Sequence, residues 1–168
     1  FITSFWHGFI EVNNGIPTTL YNEENTSLDL WYGWILSGKS TFDSDGKLWF
    51  TTVRVDDALK VYDPQNNDLQ SFSLSSVIAN PESDENSFGD IEIDQNNTKW
   101  IASRKNGVIG LSENNGSAIT KKITDQNGNL PTEIVKALAI DQDNNLWIGT
   151  REGLRVLYNT SGFFTTAN

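Results

Sequence analysis

One sequence pattern is written four times along the chain, and its period limits the folds that the chain can adopt. The copy around Trp147 has an apolar run ending at Asp141, a polar turn, the segment Leu-Trp-Ile-Gly-Thr and a second apolar run that opens at a glycine. The copy around Trp100 repeats this order, and fainter copies surround Trp49 and Phe1. The aromatic positions 1, 49, 100 and 147 are 48, 51 and 47 residues apart. A period of this length indicates a repeat architecture.

The apolar runs within each repeat are typical of β-strands. They are short, rich in Ile, Val, Phe, Tyr, Trp and Thr, and bounded by Asn, Asp or Gly, with no sustained helical period. Each repeat is predicted to hold four strands: a first at 34–42, 90–94 or 135–141, a second with the tryptophan at 48–52, 99–103 or 146–150, a third at 59–62, 108–111 or 154–158, and a fourth at 69–74, 119–124 or 163–166.

Four antiparallel strands per repeat predict the blade of a β-propeller. Sandwiches and jelly rolls lack a fixed repeat, and parallel solenoids usually have shorter repeats with one strand per face. The predicted fold class is therefore all-β, a β-propeller segment of about 3.75 four-stranded blades of a larger propeller. Its blade parts are residues 1–24, 25–78, 79–124 and 125–168. Because an unclosed ring exposes the apolar faces of its end blades, we expect residues 1–168 to fold poorly alone.

Composition narrows the possible partners and chemistry. The 168 residues suffice for one domain, but the chain begins inside a repeat and contains no Met, so we expect a segment of a larger protein. A net charge of −10 repels phosphate backbones, which argues against nucleic acid as a partner. The absence of Cys excludes disulfides and thiolate metal sites.

The last repeat resembles a known family. Its strand from Val135 to Asp141, its Leu-Trp-Ile-Gly-Thr segment and its strand ending at Tyr158 resemble the two-component-regulator propeller repeat, and Leu130-Pro131 matches the Leu-Pro element of that family. The resemblance is also good in the third repeat. It is weak in the first two, where Trp34 and Asp57-Ala58 replace consensus residues. Propellers of this family form the sensor regions of hybrid two-component regulators in Bacteroidetes and the body of PorZ-like components of the type IX secretion system.

The resemblance implies a function in recognition. The ending at residues 156–164 looks more like the PorZ-like type. This implies a non-enzymatic protein-interaction or scaffold propeller of the type IX protein secretion system. It would lie at the outer membrane, at the cell surface or in the periplasm and need no cofactor. The implied partners are other secretion-system or outer-membrane components and the remaining blades of the same chain. The alternative is a periplasmic glycan-sensing propeller of a hybrid two-component regulator, and a propeller-borne lyase or glycosidase is a third hypothesis.

Aromatic residues outside the repeat register are the candidate ligand-binding residues. The repeated tryptophan lies in mid-strand beside apolar neighbours, which favours a core position over ligand stacking. Trp31, Tyr32 and Trp34, by contrast, follow an acidic loop and have no counterpart in the repeat. A sugar ring could stack on them, although a loop that tucks its aromatic residues under the blade is the more common arrangement.

Evidence for metal binding or catalysis is weaker. Asp141, Asp143 and Asn145 have the one–three–five oxygen spacing of a calcium loop. However, Leu146 stands where such a loop needs Gly, and the sister repeats show that this segment is a turn. His7 is the only His, and no Gly-x-Ser-x-Gly motif is present to use it. Carboxylates such as Glu23-Glu24 are sequence neighbours, which does not establish a facing catalytic pair. The sequence therefore predicts no catalytic residues.

Overall fold

The computed structural model describes residues 1–80, 87–114 and 117–165, and its strands form four antiparallel sheets. The first sheet contains β1 (Ile2–Ser4), β2 (Gly8–Asn13) and β3 (Ile16–Tyr21). The second contains β4 (Ser37–Phe42), β5 (Leu48–Thr52), β6 (Leu59–Asp63) and β7 (Asp68–Phe72). The third contains β8 (Phe88–Ile93), β9 (Lys99–Ser103), β10 (Val108–Asn114) and β11 (Ser117–Ile123). The fourth contains β12 (Val135–Ile140), β13 (Leu146–Thr150) and β14 (Gly153–Leu157).

The predicted fold class is confirmed, since the chain is an all-β propeller segment built from meandering sheets. The strands that carry the repeated tryptophan, β5, β9 and β13, have the predicted bounds. Between β11 and β12 lies α1 (Asp125–Gly128), a single helical turn that the sequence pattern did not predict. Its start is fixed by Thr124, whose side chain accepts a hydrogen bond from the backbone of Gln126.

The prediction of a strand at residues 163–166 is wrong over its described part. A 3₁₀ helix covers Thr160–Gly162, and a turn follows through Thr165, while Thr166 lies outside the described residues. Asn159 causes the change of direction, because its φ of 53° is left-handed and its side chain accepts a hydrogen bond from the backbone of Ser161. The chain then turns back, and Phe163 packs on Trp100 with ring centroids 5.3 Å apart.

The sheets pack face to face in chain order, with the first strands β4, β8 and β12 as neighbours. Apolar side chains fill the space between successive sheets, and each interface has its own cluster of buried residues. Asp90 of β8 connects the three sheets to which these first strands belong. It forms a salt bridge with Lys39 of β4 and accepts a hydrogen bond from the backbone N–H of Leu138 of β12 at 3.1 Å.

The repeated aspartate and tryptophan form one structural unit. In the third sheet, Asp94 Oδ1 accepts the backbone N–H groups of Asn96 and Thr98 at 2.9 Å each, and Asp94 Oδ2 accepts the indole N–H of Trp100 at 3.0 Å. The second and fourth sheets repeat these contacts around Asp43 and Asp141. The carboxylate therefore closes the turn between the first two strands and fixes the tryptophan that follows.

Burial of the repeated tryptophan depends on its place in the stack. Trp49 and Trp100 are 2% and 0% exposed, which agrees with the expected core position. Trp147 is 39% exposed, because within the described residues its sheet has another sheet on one side only. The second sheet, by contrast, is covered by the third, and Lys99 of β9 places its Nζ 4.1 Å from the centroid of the Trp49 ring.

Candidate functional site

In three sheets the turn after the second strand meets the segment that enters the first strand. The residue after the second strand donates its backbone N–H to the residue before the first strand. The pairs are Val53 to Leu36 at 3.0 Å, Arg104 to Ser87 at 2.9 Å and Arg151 to Ile134 at 3.0 Å. These bonds place the entry segments and the second-to-third turns at one end of the stack, which we call the entry face. Loops at such ends are where scaffold folds place recognition residues.

Two leucines mark equivalent places in the entry segments of the second and fourth sheets. A Cβ on Gly8 would lie 3.3 Å from Leu28 Cδ1 and 2.1 Å from a backbone oxygen of β3. A Cβ on Gly107 would lie 3.4 Å from Leu130 Cδ1 and 2.0 Å from a backbone oxygen of β11. The glycines are therefore required by the same close approach, and the two leucines cover them in the same way.

The entry segment of the second sheet is longer than its counterpart. Eight residues, 29–36, separate Leu28 from the start of β4, whereas four residues, 131–134, separate Leu130 from the start of β12. The four additional residues correspond in number to the segment Trp31-Tyr32-Gly33-Trp34. The aromatic residues that the sequence singles out thus belong to an insertion at the entry face.

This insertion is a tight turn. The backbone N–H of Trp31 donates to the carbonyl of Trp34 at 2.8 Å, and the reverse bond is 3.0 Å long. Tyr32 and Gly33 occupy the two central places with φ of 45° and 86°, as a turn of type I′ requires. Tyr32 is 85% exposed and Trp34 is 44% exposed, while Trp31 is partly buried against the core. The turn therefore tucks one predicted residue under the sheet and presents two to solvent.

A second aromatic turn lies beside the first. It joins β1 to β2 and carries Phe5, Trp6 and His7. The backbone N–H of Ile35 donates to the carbonyl of Trp6 at 3.3 Å, and His7 pairs with Ile35 in a parallel bridge. The ring of Trp6 meets the ring of Trp34 edge to face, with centroids 5.2 Å apart. Together the two turns form the aromatic surface, which consists of Phe5, Trp6, His7, Trp31, Tyr32 and Trp34.

Sequence reasoning did not identify Phe5 and Trp6 as site residues. Phe5 and Trp6 are 53% and 47% exposed, although large apolar side chains usually avoid such exposure. A signal was present in the repeat itself, because the turns after β9 and β13 carry Arg104 and Arg151 where the turn after β1 carries Phe5. Comparing turn residues between repeats, and not only the strand residues, would have found this half of the surface.

Arginine side chains lie at one border of the aromatic surface. The guanidinium of Arg54 stacks on Trp31, with Cζ 4.1 Å from the ring centroid. Arg54 and Arg104 line an open groove of about 240 Å³ together with Phe5, Trp6, Trp31 and Phe88. A cavity of about 260 Å³ lies elsewhere, between β14 and residues 122–130, and strand and helix residues line most of it. The cavity and the groove have similar volumes, so size does not show which of them is the better candidate site. The groove combines exposed aromatic rings with the charges of two arginines.

The candidate metal ligands Asp141, Asp143 and Asn145 lie in the turn between β12 and β13. Asp141 Oδ1 accepts the backbone N–H groups of Asp143 and Asn145 at 3.0 and 2.9 Å, and Oδ2 accepts the indole of Trp147 at 2.7 Å. The hydrogen bond from Trp147, followed by those from Asn145, lowers the pKa of Asp141. Turn hydrogen bonds thus account for the spacing of the three residues. Within the described ranges, no group of three or more His, Asp or Glu side chains is placed to hold a metal.

Titratable groups at the entry face include His7 and the neighbouring carboxyls Glu133 and Asp125. The ring of His7 packs edge to face against Trp34, with centroids 5.7 Å apart. Burial, followed by the charge of Asp125, raises the pKa of Glu133. Glu92 on β8, which lies away from the aromatic surface, also has a shifted pKa. Burial, followed by the charge of Asp90, raises it.

In the described part of the chain, no helix has the length and apolar character needed to cross a membrane.

Comparison with known proteins supports the interpretation of the repeat. Residues 124–152 match the family model described as Two component regulator propeller. The chain carries a two-component-regulator propeller repeat. The match covers α1, the entry segment that follows it, the strands β12 and β13, and the Asp141–Trp147 unit. The predicted resemblance is therefore confirmed where it was strongest. No match was found among curated protein sequences.

Solved structures extend the propeller likeness to the whole chain. PorZ, described as an essential bacterial surface component of the type IX secretion system of Porphyromonas gingivalis, matches 99% of this chain with a TM-score of 0.82 and 22% identity. The extracellular domain of a putative hybrid two component system of B. thetaiotaomicron matches 99% with a TM-score of 0.63 and 20% identity. The chain spans 24% of the PorZ chain and 21% of the second chain. At these identities the likeness shows the propeller fold.

Proposed function

We propose that this propeller segment is a non-enzymatic recognition and scaffold module that works through protein contacts outside the cytoplasm, as part of a PorZ-like component of a type IX secretion system. The observation that carries the proposal is the aromatic surface. It stands on an inserted turn and a neighbouring turn of the entry face, where packing within the repeat does not require aromatic residues. The likeness to PorZ and to the extracellular domain of a regulator supports an extracytoplasmic setting.

The aromatic surface has the composition of a protein interface. Protein interfaces are enriched in Trp, Tyr and Arg, and these residue types dominate their binding energy. Here the side chains of Trp6, Tyr32 and Trp34 are exposed, and Arg54 lies against Trp31 of the same surface. Backbone hydrogen bonds hold both turns, so little conformational entropy would be lost when a partner binds.

The experiment compares full-length variants in the source bacterium. Trp6→Ala with Trp34→Ala removes the exposed rings. Ile119→Ala is the matched control, because Ile119 is 48% exposed on β11 of the third sheet, which has a sheet on each side, and lies outside the aromatic surface. We expect the double variant to reach the wild-type level but to leave type IX cargo in the periplasm, while the control secretes normally. Normal cargo delivery by a folded double variant would overturn the proposal.

A glycan-sensing propeller of a hybrid two-component regulator is the second candidate. The exposed ring of Tyr32 and the groove beside Trp31 support it, because sugar rings stack on exposed aromatic faces. This candidate predicts that loss of the gene abolishes a transcriptional response to a polysaccharide and leaves secretion intact. Measuring both phenotypes in one deletion strain therefore separates the two candidates.

A further inference from the structure

Three rings of the aromatic surface form a corner that opens to solvent. The ring of Trp34 stands at 70° to the ring of Trp6 and at 73° to the ring of His7, with centroid distances of 5.2 and 5.7 Å. These three side chains line an open concavity of about 200 Å³ together with Asn22, Glu23 and Gly33. We call this site the Trp6–Trp34 corner. Arg54 and Arg104 do not line it; they line the neighbouring groove that Trp6 shares with Trp31.

Glu23 brings a carboxylate to the rim of the corner on a rigid turn. The carbonyl of Asn22 accepts the backbone N–H of Thr26 at 2.9 Å, and the side chain of Asn22 accepts the N–H of Glu24 at 3.1 Å. Asn25 closes the turn from the other side, since its side chain accepts the N–H of Asn22 at 3.0 Å. Within the described residues, the Glu23 carboxylate makes no hydrogen bond or ion pair, so its charge is available at the rim.

The chemistry of the corner favours a cation. Aromatic rings carry negative potential on their faces, and a carboxylate beside them adds a full negative charge. No Lys or Arg is among the residues that line the concavity, and the whole chain has a net charge of −10. The same fold already stacks cations on tryptophan faces at two places, with Arg54 on Trp31 and Lys99 on Trp49, each at 4.1 Å from the ring centroid.

We propose that the Trp6–Trp34 corner binds a lysine or arginine side chain of a protein partner. This inference rests on the proposed function, because it names the chemistry through which the aromatic surface recognises that partner. The cationic head lies against the indole faces of Trp6 and Trp34, and Glu23 pairs with it at the rim. Charge complementarity supports a basic segment, since the acidic surface of the chain attracts such a segment before contact.

The test measures binding of a defined probe to the full-length protein. An N-acetylated, C-amidated peptide of four arginines is titrated, with tryptophan emission and peptide anisotropy as readouts. Glu23→Gln removes the rim charge without changing side-chain size, and Glu24→Gln is the matched control because Glu24 is the exposed neighbour outside the corner. Trp34→Phe keeps an apolar ring but weakens the cation–π contact.

We expect Glu23→Gln and Trp34→Phe each to weaken peptide binding by roughly tenfold, the scale of one such contact, and Glu24→Gln to leave it nearly unchanged. Equal losses for Glu23→Gln and Glu24→Gln would show non-specific attraction to an acidic surface and overturn the proposal. Binding of tetramethylammonium without binding of the peptide would also overturn it, because the ligand would then be a small quaternary ammonium ion.

The outcomes distinguish this inference from the proposed function. If Glu23→Gln leaves peptide binding unchanged while the double variant Trp6→Ala with Trp34→Ala still blocks secretion, the aromatic surface serves secretion and the cation assignment fails. If the peptide binds at the corner but the double variant secretes normally, the corner is a cation site and the secretion role fails.

Discussion

Removal of one repeated aspartate should destabilise the fold far more in the third sheet than in the fourth. Asp94 is 5% exposed and accepts three hydrogen bonds, from the backbone of Asn96 and Thr98 and from the indole of Trp100. Asp94→Ala removes all three acceptor contacts at once. The side chain is short, so the substitution leaves the strands β8 and β9 in place and isolates the effect of the lost hydrogen bonds.

The magnitude follows from the burial of the three donors. Thr98 and Trp100 are 3% and 0% exposed, so their N–H groups cannot turn to water when the carboxylate is gone, whereas Asn96 is exposed and can. A buried donor left without a partner costs about 1–3 kcal/mol. Two such donors lower the free energy of unfolding by about 2–6 kcal/mol.

The assay is urea unfolding followed by tryptophan emission, with Asp141→Ala as the matched control. Asp141 accepts the same three bonds and a fourth from the side-chain amide of Asn145 at 3.0 Å, but Trp147 is 39% exposed and its indole can donate to water instead. The assay uses the segment 1–168, whose uncovered end sheets make its folded state marginally stable, so the readout is the shift of the unfolding midpoint relative to the wild-type segment. We expect a clearly smaller shift for Asp141→Ala than for Asp94→Ala. Equal losses at the two positions, or a loss below about 1 kcal/mol at Asp94, would refute the argument that buried donors set the cost.

Three further predictions test the fold. Gly107→Ala should destabilise the fold much more than Gly15→Ala. Both glycines have positive φ, of 70° and 80°, so each substitution costs about 1–2 kcal/mol of backbone strain. Only at Gly107 would a Cβ also meet a backbone oxygen, at 2.0 Å, and thermal unfolding should therefore separate the two variants. Asp29→Asn should cost more stability than Lys60→Met, because the first leaves the buried ammonium of Lys60 without the carboxylate that it contacts at 2.6 Å; equal unfolding midpoints would contradict this. The pKa of Asp141 is lowered, so its ionised form stabilises the fold at pH values above the ordinary aspartate pKa. This contribution is lost as the pH falls through the lowered pKa. Relative to Asp141→Asn, wild type should therefore lose stability below about pH 4.

The repeat made most of the fold predictable, because one physical unit is used again in each sheet. An aspartate, a tight turn and a tryptophan six residues later form the same hydrogen bonds at Asp43, Asp94 and Asp141. A pattern that depends only on such local contacts can be identified from sequence alone. The bounds of β5, β9 and β13 were correct for this reason.

Features that depend on contacts between distant segments could not be predicted in the same way. The strand predicted at residues 163–166 has apolar residues, but Phe163 and Phe164 pack on Trp100 from the neighbouring sheet instead of pairing with β14. The exposure of Trp147 likewise depends on its place in the stack and not on its neighbours in sequence. Sequence periodicity identifies equivalent residues in the repeats, but it does not show which distant segment packs on each of them.

The candidate site shows how recognition can arise from two departures from one repeat. The segment entering β4 is longer than its counterpart, and the turn after β1 carries aromatic residues where the turn after β9 carries Arg104. Each departure lies in a different sheet, and the stacking of those sheets brings them together, through the bond from Ile35 to Trp6 and the contact of Trp6 with Trp34. A corner formed in this way requires both turns, so lengthening the entry segment of another sheet would not by itself create a second one. The repeated residues thus set the distance between the turns, and the unrepeated residues decide what the turns can bind.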